Sequence, residues 1–103
     1  MPRLVRVAAV GEIAVGSGKT VEVGDLLLAV YNAGDGRYYA SSAICPHEYG
    51  PLGDGVLDGA SIVCPMHGFD FDLRTGACRV DPLLSVEVYP VRVQGQDLLV
   101  ELP

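Results

Sequence analysis

Both histidines and two of the three cysteines of this chain lie between Cys45 and His67. The stretch reads Cys45-Pro46-His47, then sixteen residues, then Cys64-Pro65-Met66-His67. Thiolate sulfur and neutral imidazole nitrogen are the donors that hold soft and borderline transition metals, and two Cys-then-His pairs can close a four-ligand site. Each pair offers one sulfur and one nitrogen, a donor set that suits two irons, one held by sulfur and the other by nitrogen. Zinc could use the same four residues, although zinc modules more often pair Cys with Cys at close spacing. Buried cysteines without any ligand role are also common, but that reading gives no reason for a histidine beside each of them.

At these residues the sequence resembles the Rieske family, with Cys-x-His as the first box and Cys-x-x-His followed by Gly68 as the second. The likeness extends to Pro51-Leu52, to Phe71-Asp72-Leu73-Arg74-Thr75-Gly76, and to Asp81-Pro82-Leu83, where a third covering loop would lie. It implies one [2Fe-2S] cluster, with Cys45 and Cys64 on the inner iron, His47 and His67 on the outer one, and no catalytic residue. It also implies an all-β fold, a Rieske-like β-sandwich or barrel, with a small cluster-binding subdomain inserted at about residues 44–73 of a single domain spanning 1–103.

The ligand set bears on the electron affinity of such a centre. Two ferric ions, two sulfides, two thiolates and two neutral imidazoles sum to no net charge, where four thiolates would leave a dianion, and a neutral centre accepts an electron more easily. High-potential members of the family carry a further cysteine in each box, joined as a disulfide; the matching positions here are Gly50 and Met66. They also place serine and tyrosine hydroxyls near cluster sulfur, where this chain has Phe69 and Phe71. Hydrogen bonds to sulfur stabilise the reduced state, so their loss predicts a low potential within the Rieske range.

The implied function is electron transport: a ferredoxin that carries single electrons from a reductase to a terminal oxygenase, and no enzyme by itself. The small subunit of an assimilatory nitrite reductase, docked on a large sirohaem-containing subunit, shares the same boxes and is the alternative. A zinc-stabilised binding module is a third reading, and colour separates it, since zinc is spectroscopically silent. The histidines would sit at loop tips, with Tyr49, Pro51, Leu52, Met66 and Pro82 around them for a partner.

The elements that must position these residues are short. At 103 residues, 50% hydrophobic and 19% charged, the chain has the composition of one globular domain and not of a disordered segment. Its longest strongly apolar run, Leu26 to Tyr31, is strand-sized, so a soluble cytoplasmic protein without membrane association is expected. The net charge of −6 is uneven. Residues 1–40 balance, whereas residues 41–73 hold Glu48, Asp54, Asp58, Asp70 and Asp72 with no Lys or Arg. Nucleic acid is therefore excluded as a partner of this segment on charge grounds. Glu22 and Glu101 are acids remote from it in sequence.

Strands are expected at Leu4–Val10, Thr20–Val23, Leu26–Asn32 and Arg37–Ala40, the last two joined by an Asp35-Gly36 hairpin turn. Tyr38 and Tyr39 must face opposite ways, one to the core and one partly to solvent. Gly16-Ser17-Gly18-Lys19-Thr20 imitates a phosphate-binding loop but leads into an alternating strand pattern, so a turn is expected. Glycines and prolines break Ser41–Leu73 into short pieces, with strands at Val56-Leu57, Ser61–Val63 and Phe69–Asp72. Arg74-Thr75-Gly76 reads as a turn. In Leu84–Val93 the apolar parity switches at Tyr89-Pro90, which predicts a bend with Val86 and Val88 on one face and Val91 and Val93 on the other. Asp97–Leu102 closes the fold after a turn at Gln94-Gly95-Gln96, and Cys78 is expected as a small buried hydrophobe.

Overall fold

The computed structural model describes residues 3–45, 51–65 and 68–103. Its strands are β1 (Arg3–Ala9), β2 (Gly18–Val23), β3 (Leu26–Gly34), β4 (Arg37–Ser42), β5 (Val56–Asp58), β6 (Ser61–Val63), β7 (Asp70–Asp72), β8 (Val88–Tyr89), β9 (Val91–Gln94) and β10 (Asp97–Leu102). They form three antiparallel sheets in the orders β1-β10-β9, β2-β3-β4-β8 and β5-β6-β7. Among the described residues the helical content is two single 3-10 turns, Val10–Glu12 and Leu52–Asp54, and no helix is long and apolar enough to cross a membrane. The all-β expectation is met.

Strand β3 explains the architecture. Leu28 and Val30 look to one side, into a core with Val7, Ala8, Leu98, Val100 and Leu102. Ala29 and Tyr31 look to the other, into a core with Cys45, Cys64, Ile62 and Phe71. A strand covered on both faces has no solvent side to write as polar, so its sequence reads as a continuous apolar run and not as an alternation. Burying Leu28 and Val30 contributes about 1.5–3 kcal/mol each, whereas Leu26 and Leu27 at the start of the strand stay exposed. The same double cover corrects the reading of the tyrosine pair. Tyr38 and Tyr39 do face opposite ways, but both are half-buried, Tyr39 against the cysteine-bearing core and Tyr38 against the other.

The β3–β4 turn has φ of 56° at Asp35 and 75° at Gly36, the two positive values that a two-residue hairpin of the favoured twist requires. Before it, the register slips between Asn32 and Gly34. Asn32 fills the gap: its Nδ2 donates to Ile13 O at 2.8 Å and its Oδ1 accepts from Gly34 N at 2.9 Å, so this buried amide is satisfied while it ties β3 to the segment after β1. Residues 16–20 are a turn followed by β2, not the start of a helix.

Pro90 does more than bend a strand. β8 pairs with β4 and β9 pairs with β10, so the chain changes sheets at Pro90. Val88 packs on the cysteine-bearing core and Val91 on the other, as the parity switch requires. Val93 departs from that expectation and is half exposed, because β9 is an edge strand and its far end runs out past the core.

Candidate metal centre

Both cysteine-bearing stretches are loops closed at their base by backbone hydrogen bonds. The first leaves β4 and returns at the Leu52–Asp54 turn; Leu52 N donates to Ala43 O at 2.8 Å, and Ile44 bridges Pro51. Cys45 lies just inside that closure. The second is the end of the β6–β7 hairpin, where Ile62 faces Phe71 and Val63 faces Asp70. Continuing that register sets Cys64 against Phe69, and Cys64 N donates to Phe69 O at 2.7 Å. Gly55 lets the two loops approach, since a Cβ there would collide with the Val63 carbonyl.

The two cysteine side chains meet in one core. Cys45 is 0% and Cys64 1% exposed, and they share that core with Tyr31, Leu52, Ile62, Phe71, Leu73, Cys78 and Val86. His47 and His67 lie outside the described residues, as do Gly50 and Met66, so the structure brings together two of the four expected ligands. Among the described residues no three metal-binding side chains gather in one place.

A third loop covers this core from the C-terminal side. Phe71 bridges Cys78, Cys78 N donates to Leu84 O at 3.2 Å, and Leu84 N donates to Asp81 O at 3.1 Å. Within the turn Asp81 N donates to Cys78 Sγ at 3.4 Å and Leu83 N to Asp81 Oδ1 at 3.0 Å. Cys78 is the buried small side chain expected, and its sulfur also anchors the Asp81-Pro82-Leu83 turn.

The donor chemistry fits a metal. Segment 41–73 has no lysine or arginine, and the two arginines that follow it are engaged with carboxylates of its β7 strand, Arg74 with Asp72 at 3.0 Å and Arg79 with Asp70 at 3.9 Å. The Arg74 side chain, followed by its backbone N–H, holds the Asp72 carboxyl below its ordinary pKa on this exposed flank. A pair of thiolates in an apolar core costs several kcal/mol unless its charge is met. Bound metal meets it, and thiolate sulfur selects soft and borderline ions.

The surface around the loops differs from the sequence reading. Leu52 is fully buried where the first loop closes on Ala43, so it offers nothing to a partner. Pro51 and Pro82 are exposed as expected, and Tyr49 and Met66 lie outside the described residues. Ile44, Val80 and Leu83 are exposed apolar residues that the sequence reading missed, Leu83 at 91%. Its position directly after Pro82, in a turn, was the available signal.

Comparison with known proteins covers most of the chain. The family model of the Rieske [2Fe-2S] domain matches residues 3–90. The ferredoxin component of the naphthalene 1,2-dioxygenase system of Pseudomonas aeruginosa is 35% identical over 95 residues, which cover 91% of this chain and 90% of that protein. A structure of the complex of reduced oxygenase and oxidised ferredoxin in carbazole 1,9a-dioxygenase contains a chain 34% identical, with a TM-score of 0.82, covering 94% of this chain and 91% of that one. A structure described as an NADH-dependent nitrite reductase small subunit from Mycobacterium tuberculosis superimposes with a TM-score of 0.92 over 100% of this chain and 97% of its own. At 24% identity it shares the fold.

Proposed function

Because this chain belongs to the Rieske [2Fe-2S] domain family, we propose that Cys45, His47, Cys64 and His67 hold one [2Fe-2S] cluster in the subdomain at about residues 44–73, within a single domain 1–103. The protein is an electron carrier and not a catalyst on its own, a ferredoxin component that takes single electrons from a reductase to a terminal oxygenase. The observation that carries this reading is the meeting of Cys45 and Cys64, from two separately closed loops, in one buried core. A cluster so ligated takes up and returns one electron.

The chain's own residues have distinct parts in this. Cys45 and Cys64 would supply sulfur from the buried side, and His47 and His67 would supply nitrogen. Tyr31, Leu52, Ile62 and Phe71 keep water from the sulfurs, and the Asp81-Pro82-Leu83 turn covers them. The reading as a nitrite reductase small subunit rests on the fold superposition, whereas the naphthalene and carbazole dioxygenase ferredoxins share a third of their residues with this chain. Reduction by a separate flavoprotein supports the ferredoxin reading, and a stable complex with a large nitrite reductase subunit replaces it. We assign the protein to the cytoplasm, where thiols stay reduced for metal binding.

Metal analysis tests the proposal. Anaerobically purified protein is expected to contain two irons and two acid-labile sulfides per chain, and colourless protein with stoichiometric zinc overturns the cluster. His67→Ala is expected to lose or destabilise it, because a ligand is removed. A wild-type visible spectrum in that variant refutes the ligand assignment.

A further inference from the structure

Tyr31 is fully buried in the core that holds Cys45 and Cys64. Strand pairing puts it there: Tyr31 stands opposite Tyr39 and Ala29 opposite Ser41, so Tyr31 and Ser41 are diagonal neighbours on the same face of β3–β4. The ring lies against Gly18 so closely that a Cβ on that glycine would sit 2.8 Å from it. With the ring held, the position of the hydroxyl is fixed.

That hydroxyl is 3.0 Å from Ser41 Oγ, and Ser41 Oγ is 2.9 Å from the carbonyl oxygen of Ser42. A carbonyl only accepts, and a serine hydroxyl has one proton to give. Ser41 therefore donates to Ser42 O, and Tyr31 donates to Ser41. The phenol proton is spent on Ser41, and none is left to give to another acceptor. Tyr31 shares its core with the Cys64 side chain, and burial raises the pKa of its phenol while the Ser41 bond opposes the rise.

We propose that the chain Tyr31–Ser41–Ser42 sets the reduction potential of the centre held by Cys64, by turning the phenol proton away from it. A proton aimed at sulfur would stabilise the more negative, reduced state, and a proton spent on Ser41 does not. Ser41 is a positioning residue that acts only through Tyr31. The inference rests on the reading of Cys64 as a cluster ligand.

Potentiometry on cluster-loaded variants tests it, with iron and sulfide measured first in each. Ser41→Ala releases the phenol proton toward sulfur, and the midpoint is expected to move positive, raising the reduced-to-oxidised ratio at a fixed ambient potential about threefold or more. Tyr31→Phe is expected to leave the midpoint unchanged or higher. The double variant should match Tyr31→Phe, because Ser41 has nothing left to orient. An unchanged or lowered midpoint in Ser41→Ala at wild-type iron content overturns the relay, as does a fall in Tyr31→Phe. If Ser41→Ala does not fold, Ser41→Cys, whose thiol is a weak acceptor for the phenol proton, is read in its place, with a positive shift expected and an unchanged or lowered midpoint overturning the relay. Wild-type protein without iron would instead remove the underlying cluster reading.

Discussion

Phe71 is a single residue on which the electron affinity of the site can turn. It is fully buried at the centre of β7, faces Ile62, bridges Cys78 and shares its core with both cysteines. A benzyl side chain there excludes water and donates nothing, so the reduced state gains no hydrogen bond from it. The midpoint potential is therefore expected near the lower end of the Rieske range, about −150 mV, and a value above about +100 mV contradicts the argument. Phe71→Tyr is expected to raise it, measured by voltammetry beside the parent, since the added hydroxyl must find a sulfur or remain unsatisfied in an apolar core. The types and spacing of Cys45 and Cys64 mark them as a pair in the sequence, and the fold buries both in one core. Tyr31 and Ser41 were not legible in the same way. Nothing local to either residue announces that β-pairing will set their hydroxyls 3.0 Å apart beside the cysteines.

At the scale of elements, the loops that carry the site depend on close backbone approaches. Gly76 lies after the β7 turn with φ of 87°, and a Cβ on it would collide with the Val86 carbonyl. Its own carbonyl accepts from Val86 N at 2.8 Å, which fastens the covering loop to the strand region leading into β8. Gly36, in the β3–β4 turn, has a similar φ of 75° but open space around it. Gly36→Ala therefore costs only the conformational term, about 1 kcal/mol, whereas Gly76→Ala adds a clash and is expected to cost about 2–4 kcal/mol. Anaerobic urea unfolding compares the two; equal shifts in midpoint would mean that the Val86 contact relaxes freely. The Asp35-Gly36 turn was legible because the demand for positive φ is local and only a few residue types satisfy it. The burial of Leu52 was not, since it depends on where the first loop closes against Ala43 and not on its neighbours in sequence.

Across the whole molecule the charge is polarised in a way that bears on partner recognition. Segment 41–73 has five carboxylates and no lysine or arginine, and it includes both cysteine-bearing loops; Arg74 and Arg79 from beyond it offset Asp72 and Asp70, so the acids that carry the field are Glu48, Asp54 and Asp58. Asp54 is exposed at the base of the first loop. A partner approaching the loop ends meets this negative field first, so a basic patch on the reductase or oxygenase should speed encounter, and salt should weaken the effect over a screening length of about 8 Å. The fold decides which acids serve as controls. Glu22 is remote from the loops in sequence, but it pairs with Leu27, whose carbonyl accepts from Ala43 N at 3.1 Å, so it lies toward the loop end of the sheet. Glu101 is engaged with Arg92 at 3.9 Å. Asp35, exposed at the opposite end of the β3–β4 hairpin, is the better reference. The second-order rate of electron transfer to the partner is expected to decline as ionic strength rises, and Glu48→Gln with Asp54→Asn to blunt that decline while Asp35→Asn leaves it intact. A flat profile, or the same blunting from Asp35→Asn, would assign the acids to solubility and remove steering from the account.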